Sequence, residues 1–458
     1  MENSVTKREK ISYGMYFMGQ NVFYGLIGYM TTYFTDIGIT AALVAIVALI
    51  TKVWDAINDP IFGMIMDKVN FKKGKFLPWL RMSVIAIPVA TILLFTVPTE
   101  ISMMAKIVWA TLAYMLWDTA YTLCDVPIFG IVTTMTIDQK ERISLNSIGR
   151  MFAIFAGIVT GIVLPLVRQR LGGWSTTVIV LSLLSVVMMI PMCLFAKERV
   201  IEKERVLDEG KEESYTLRDM VECLRKNKYL LIFFAAPLIS SLLNVGANWG
   251  LYIARYCLGG EETASYVSMA MIIPTLIGAF MAVELCKRYD KFKILYISYV
   301  FALILGIIRF IAGYENMAVY VILSALGGIP LGIVVILQYQ FTPDCYEYGQ
   351  YKTGLKMRGV TFAAQTFFTK LNGAIATAVS VFALTLIGFR EGEGVVQAAG
   401  FADKLWTFSC LGSIIGGIGT LLILRSYKLN DHDVQLMAKC NNGEISREEA
   451  EAQMINQY

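Results

Sequence analysis

The sequence predicts an all-α integral membrane protein with twelve spanning helices in two pseudo-symmetric six-helix bundles. Three observations carry that prediction. Hydrophobic residues make up 56% of the 458 and charged residues only 17%, against about a quarter charged in soluble domains, and mean hydropathy is +0.58. Twelve apolar segments follow one another along the chain, each near the roughly 20 residues that cross a bilayer as a helix. A strongly charged stretch, residues 197–228, then divides them six and six.

The spans are expected at 12–35, 40–66, 78–98, 103–135, 143–167, 174–196, 229–256, 264–286, 292–312, 316–341, 359–389 and 402–425. The first is too long for a signal-peptide core and is expected to stay attached. Lys7, Arg8 and Lys10, Lys68 to Lys75, Lys140 and Arg142, Lys287 to Lys293, Lys352 to Arg358, and Arg425 with Lys428 fall on one side, which the excess of positive charge assigns to the cytoplasm. Both termini are therefore expected inside, with Arg168, Arg170, Arg390 and Lys404 as basic exceptions outside.

Domains are expected at 1–196, 229–427 and a soluble tail at 428–458, with 197–228 as an amphipathic inner linker. Met66-Asp67-Lys68 after the second span recurs as Tyr289-Asp290-Lys291 after the eighth, an echo that fits two related halves. The formal charge of +4 reports topology rather than nucleic-acid binding. The eight cysteines show no CxxC spacing, which argues against disulfides and zinc, and the single histidine, His432, excludes an HExxH site. No phosphate-binding loop is visible, so no cofactor is expected. Glycines of the first, fifth and twelfth spans, among them Gly19, Gly25, Gly157 and Gly416, are expected to permit close helix packing.

Charge inside the spans is costly unless paired, hydrated or bound to an ion, and so points to a solute path. Lys52, Asp55, Asn58 and Asp59 sit together in the second span. The two acids are one turn apart on one helix face, near mid-membrane. The fourth span adds Asp118, Thr122 and Asp125 as one helical stripe. Oxygen ligands of this kind suit a hard cation such as Na+ at Asp55, Asp59 and Thr122, with Asp118 and Asp125 directed to a substrate. The plainer alternative is that these acids pair with neighbouring bases, as Lys52 pairs with Asp55, and lock the bundle. Arg150 in the fifth span and Lys370 in the eleventh, one turn after Thr366, are the counter-charges that bind substrate or swap partners with the cation. Arg255 and Arg309 lie near outer helix ends and are expected to snorkel.

The stretch VWDAINDPIFGMIMDKVNFKKGKFLPW resembles the signature of the glycoside-pentoside-hexuronide:cation symporters, a melibiose permease-like family of the major facilitator superfamily. The likeness continues through SYGMYFMGQN, YTLCDVP, Asp138 to Arg142, Arg150, PDCYEYGQYKTG and QTFFTK. It implies the major facilitator fold and uptake of a sugar or glycoside with Na+ or H+ by alternating access. Asp55, Asn58, Asp59 and Thr122 match the family's cation site, Asp125 and Arg150 match sugar contacts, and Lys370 matches a lysine associated with coupling. Three positions depart from the pattern: Asn21 replaces an acid, Phe129 a tryptophan and Val335 an aromatic residue. Asp118 is expected to supply the acceptor that Asn21 supplies less well, or the lost charge at Asn21 makes room for an anionic hexuronide held by Arg150.

The resemblance leaves a non-sugar solute such as a lysolipid as the second reading, because distant relatives with the same acid motif move lipids. An intramembrane aspartyl hydrolase would need two carboxylates sharing a proton, and no supporting motif surrounds Asp55 or Asp125. A bacterial inner-membrane location and a monomer are the remaining expectations, with sugar, monovalent cation and lipid bilayer as partners.

Overall fold

A computed structural model describes residues 5–69, 71, 74–136, 139–199, 225–246, 248–354 and 358–457. The linker expected at 197–228 therefore lies largely outside the described residues. The chain divides into two compact units: Met1–Glu212 with Gly388–Gln397, and Glu213–Ile387 with Ala398–Tyr458.

The first unit contains α1 (Lys7–Ile27), α2 (Met30–Asp36), α3 (Ala41–Lys68), α4 (Leu77–Leu94), α5 (Met103–Met135), α6 (Gln139–Ile158), α7 (Leu164–Val167) and α8 (Trp174–Phe195). A capping box starts α1: Glu9 N–H donates to Thr6 Oγ1 at 3.2 Å and Thr6 N–H returns a bond to Glu9 at 2.9 Å. The first predicted span is α1 and α2 in sequence, broken at Gly28 and Tyr29; the fifth is α6 and α7 joined by a π-turn at Val159–Val163. Helix α1 packs on α6 and α8, α4 on α5 and α8, and α3 on α5. A Cβ on Gly19 would strike the Ser185 carbonyl and one on Gly25 would strike Thr160, so these glycines set the closest approaches of α1. Gly157 differs from the expectation: a Cβ there meets nothing within 4 Å.

The segment Gly388–Gln397 closes this unit as a strap. Gly392 and Glu393 N–H groups donate to the carbonyls of Thr35 and Asp36 at 2.9 and 2.8 Å. Glu391 accepts the first N–H of α3, from Ala41, at 2.9 Å. Arg168, 2% exposed, reaches Glu393 at 2.8 Å and Asp36 at 3.9 Å over the ring of Trp174, whose Nε1 donates to Asp36 at 2.8 Å.

The second unit contains α9 (Lys228–Leu243), α10 (Gly250–Cys257), α11 (Glu262–Leu285), α12 (Lys291–Ala312), α13 (Met317–Leu337), α14 (Phe341–Thr353), α15 (Arg358–Leu386), α16 (Phe401–Leu424), α17 (Asp431–Asn441) and α18 (Arg447–Gln453). Helix α9 packs on α15 and α16, α12 on α13 and α16, and α11 on α13. The last pair is the most intimate, because Gly278, Gly328 and Gly332 bring its two backbones together where a methyl group would collide with a carbonyl. The tenth span outruns its predicted end: after a 3₁₀ turn at Gln338–Gln340 it continues as α14 through the PDCYEYGQYKT stretch. Arg255 pairs with buried Glu261 at 2.7 Å. The seven cysteines described are all free thiols.

Eight helices among the described residues are long and apolar enough to cross a membrane. The first, second, fourth and seventh predicted spans are not among them. The first and seventh are broken helices.

Candidate functional site

The polar cluster of the first unit is built between α3 and α5. Trp54 Nε1 donates to Thr119 Oγ1 at 3.0 Å and fixes the two helices side by side. One turn further along, Asn58 Nδ2 donates to Thr122 Oγ1 at 2.8 Å, and Thr122 Oγ1 donates to its own helix at the Asp118 carbonyl, 3.0 Å away. Asp55, Asn58, Asp118 and Thr122 are all buried. Each of the last three was singled out by its polarity inside an apolar run, and the helical pitch puts them on facing sides of one seam.

Lys52 Nζ lies 3.6 Å from Asp55 Oδ2. Asp59 continues the face of α3 by one turn on the helix backbone, and its side chain lies outside the described residues. Asp55, Asn58 and Thr122 thus carry side-chain oxygens into this buried seam.

Asp125, at the end of the α5 stripe, accepts a hydrogen bond from Gln20 Nε2 at 3.0 Å. Gln20 also reaches the Tyr121 hydroxyl at 3.3 Å, and its buried Oε1 has no partner among the described residues. Asn21, the position read from the sequence, instead donates to the Phe17 carbonyl of its own helix at 2.8 Å. Consecutive residues of a helix point about 100° apart; the signal that would have selected Gln20 is its place on the α1 face packed against α5, which the sequence alone does not contain.

Phe129 is half exposed and stands edge-on to Phe17, with ring centroids 5.5 Å apart. Tyr121 stacks on Trp117 at 4.9 Å and lies 5.7 Å from Tyr24, so an aromatic wall flanks Gln20 and Asp125. Arg150 on α6 is exposed and pairs with no carboxylate among the described residues. Thr366 and Lys370 stand one turn apart on α15 of the second unit. No group of three or more His, Cys, Asp or Glu side chains suited to a metal ion occurs among the described residues.

The family model described as MFS/sugar transport protein matches residues 12–431. This chain belongs to that family. The relatives it matches include symporters and sugar permeases. The uncharacterized symporter YjmB of Bacillus subtilis (strain 168) is 28% identical, over 85% of each chain. The isoprimeverose transporter of Lactiplantibacillus pentosus is 26% identical, over 85% of this chain and 82% of its own. The glucuronide carrier protein homolog of Escherichia coli (strain K12) is 24% identical, over 79% of each. Among solved structures, the nucleoside transporter NupG aligns with a TM-score of 0.63 at 15% identity, over 92% of this chain and 100% of its own, a likeness of fold. The chain is a major facilitator sugar transporter, a multi-pass protein of the inner membrane and not an enzyme.

Proposed function

We propose that this protein moves a sugar or glycoside together with a monovalent cation by alternating access, with both termini in the cytoplasm and the six-helix halves divided at the 197–228 linker. The observation that carries the reading is the buried oxygen cluster of Asp55, Asn58 and Thr122 on facing sides of α3 and α5. Asp55, Asp59 and Thr122 hold Na+, with the Asn58 carbonyl oxygen beside them. The sugar hydroxyls are taken by Asp125 and Gln20, with Phe129 as an apolar surface for the ring and Arg150 as an uncommitted cation. Lys52, Lys370 and Thr366 belong to the coupling machinery, because a fixed ammonium that releases a carboxylate to the cation links the two occupancies.

The 3.6 Å Lys52–Asp55 pair favours a second reading within the same fold, coupling to a proton. With one carboxylate neutralised internally, a neighbouring acid needs only a proton. Uptake into right-side-out vesicles decides between the two. A panel of labelled galactosides, xylosides and glucuronides is offered with and without a sodium gradient at fixed pH. Accumulation that needs sodium and disappears in Asp59→Cys supports Na+ coupling; accumulation indifferent to sodium and abolished by a protonophore assigns the acids to a proton. Failure to accumulate any sugar would shift the solute to a non-sugar class such as a lysolipid.

A further inference from the structure

Outside the polar seam, the second unit carries a groove of about 510 Å³ where α11 ends and α12 begins. The turn between those helices supplies Arg288, Tyr289 and Asp290; the first turn of α12 supplies Phe292 and Lys293. Lys428, Asp431 and His432, at and before the start of α17, form the opposite wall, with Ile455 and Asn456 beside them.

The acids of this groove are already committed. Asp290 accepts the N–H groups of Phe292 and Lys293 at 2.9 and 3.3 Å and that of Asp431 at 2.7 Å. Asp431 accepts Lys291 N–H at 2.9 Å and pairs with Lys291 Nζ at 3.0 Å, the same ammonium that holds Asp344 at 2.6 Å. Asp433, fully buried, takes the N–H groups of Ile455 and Asn456 at 2.8 and 3.1 Å and so fixes the far wall. The side chains of Arg288 and Lys293 are exposed and have no partner among the described residues. The groove's carboxylates are thus tied to backbone N–H groups and to Lys291, which leaves the exposed Arg288 and Lys293 on the rim as the groups open to an anion.

Its position selects the kind of anion. The groove lies at the junction of two membrane-spanning helices, Glu262–Leu285 and Lys291–Ala312. Tyr289, at its edge, is 60% exposed, as interfacial tyrosines are. Within about two turns into the membrane, Phe280, Val283 and Ile297 present bare apolar side chains on the same helices. A ligand with a phosphate at one end and acyl chains at the other would meet matching surfaces at both. We infer that this groove is a binding site for the headgroup of an anionic phospholipid, with Arg288 and Lys293 on the phosphate, and that the 428–457 segment builds its second wall.

The test uses the full chain in nanodiscs of phosphatidylcholine with and without phosphatidylglycerol, counting retained lipid by native mass spectrometry. Wild-type protein is expected to retain phosphatidylglycerol in preference to phosphatidylcholine. Arg288→Gln with Lys293→Gln should lower that preference by roughly fivefold per charge removed, while Lys7→Gln with Lys439→Gln, the same charge change elsewhere, should leave it. Equal retention in the first pair, or equal loss in the second, would overturn the assignment. Displacement of the lipid by millimolar inorganic phosphate would reassign the groove to a free anion and overturn the lipid source. Should the first pair fail to fold, a photoactivatable phosphatidylglycerol on wild-type protein still decides. Label in peptides spanning 286–293 and 427–432 is expected, and label confined elsewhere rejects the site. None of these readouts depends on transport.

Discussion

Gln20 and Asn21 are chain neighbours with separate tasks. The Gln20 amide is bonded to a carboxylate, and a hydrogen bond to a charged group contributes about 1.5–3 kcal/mol. Asn21 closes a bond within its own helix. If Asp125 holds sugar hydroxyls, Gln20→Leu should weaken apparent sugar affinity by about tenfold or more, whereas Asn21→Leu should change it by much less; the sugar dependence of initial uptake rates checks both. The Asn58–Thr122 bond leads to a second expectation. Thr122→Val keeps the shape of the side chain and removes the oxygen that Asn58 and the proposed cation share. It should raise the cation concentration needed for half-maximal uptake while leaving the protein folded, and an unchanged cation requirement would remove Thr122 from the ligand set.

Two elements hold the first unit at its ends, and each makes a different prediction. At the start of α1, burial alone would push the Glu9 carboxyl up, but the Arg199 guanidinium at 2.8 Å and the Thr6 N–H and hydroxyl hold it below its ordinary value of 4.5. A carboxyl depressed in the folded state stabilises the fold fully above that ordinary value and loses the contribution as pH falls through the lower folded value. Thermal melting of the wild type should therefore decline with acid below about pH 4.5 more steeply than that of Glu9→Gln, which should already be less stable at neutral pH. At the strap, Arg168 is buried between Asp36 and Glu393. Arg168→Met strands the buried Asp36 carboxylate and should cost about 3–5 kcal/mol. Glu393→Gln should cost far less, since the Glu393 side chain is 55% exposed. Comparable losses in melting temperature for the two variants would contradict the buried-pair account.

At the scale of the whole molecule, what the sequence revealed and what it hid have one cause. Apolar length and the cost of charge in lipid act locally along the chain, so the spans and the outlying residues Lys52, Asp55, Asn58, Asp118, Thr122 and Asp125 stood out without any structure. Features that depend on residues far apart in sequence did not. They include the Gln20–Asp125 hydrogen bond, the breaks at Gly28 and after Leu243, and the strap that returns from residue 388 to the loops beside Thr35 and Arg168. Symport also depends on distant sites, and it is constrained by thermodynamics rather than by any single contact. If a cation at Asp55 and Thr122 raises sugar affinity by some factor, bound sugar must raise cation affinity by the same factor. Titrating purified wild-type protein with sugar at several cation concentrations, and the converse, should give equal factors. Lys52→Met removes the internal ammonium that competes with the cation for Asp55, so it should tighten cation binding and shrink the coupling factor in both titrations together. A shift in cation affinity with the coupling factor unchanged would mean that Lys52 acts on the cation site alone and lies outside the coupling machinery.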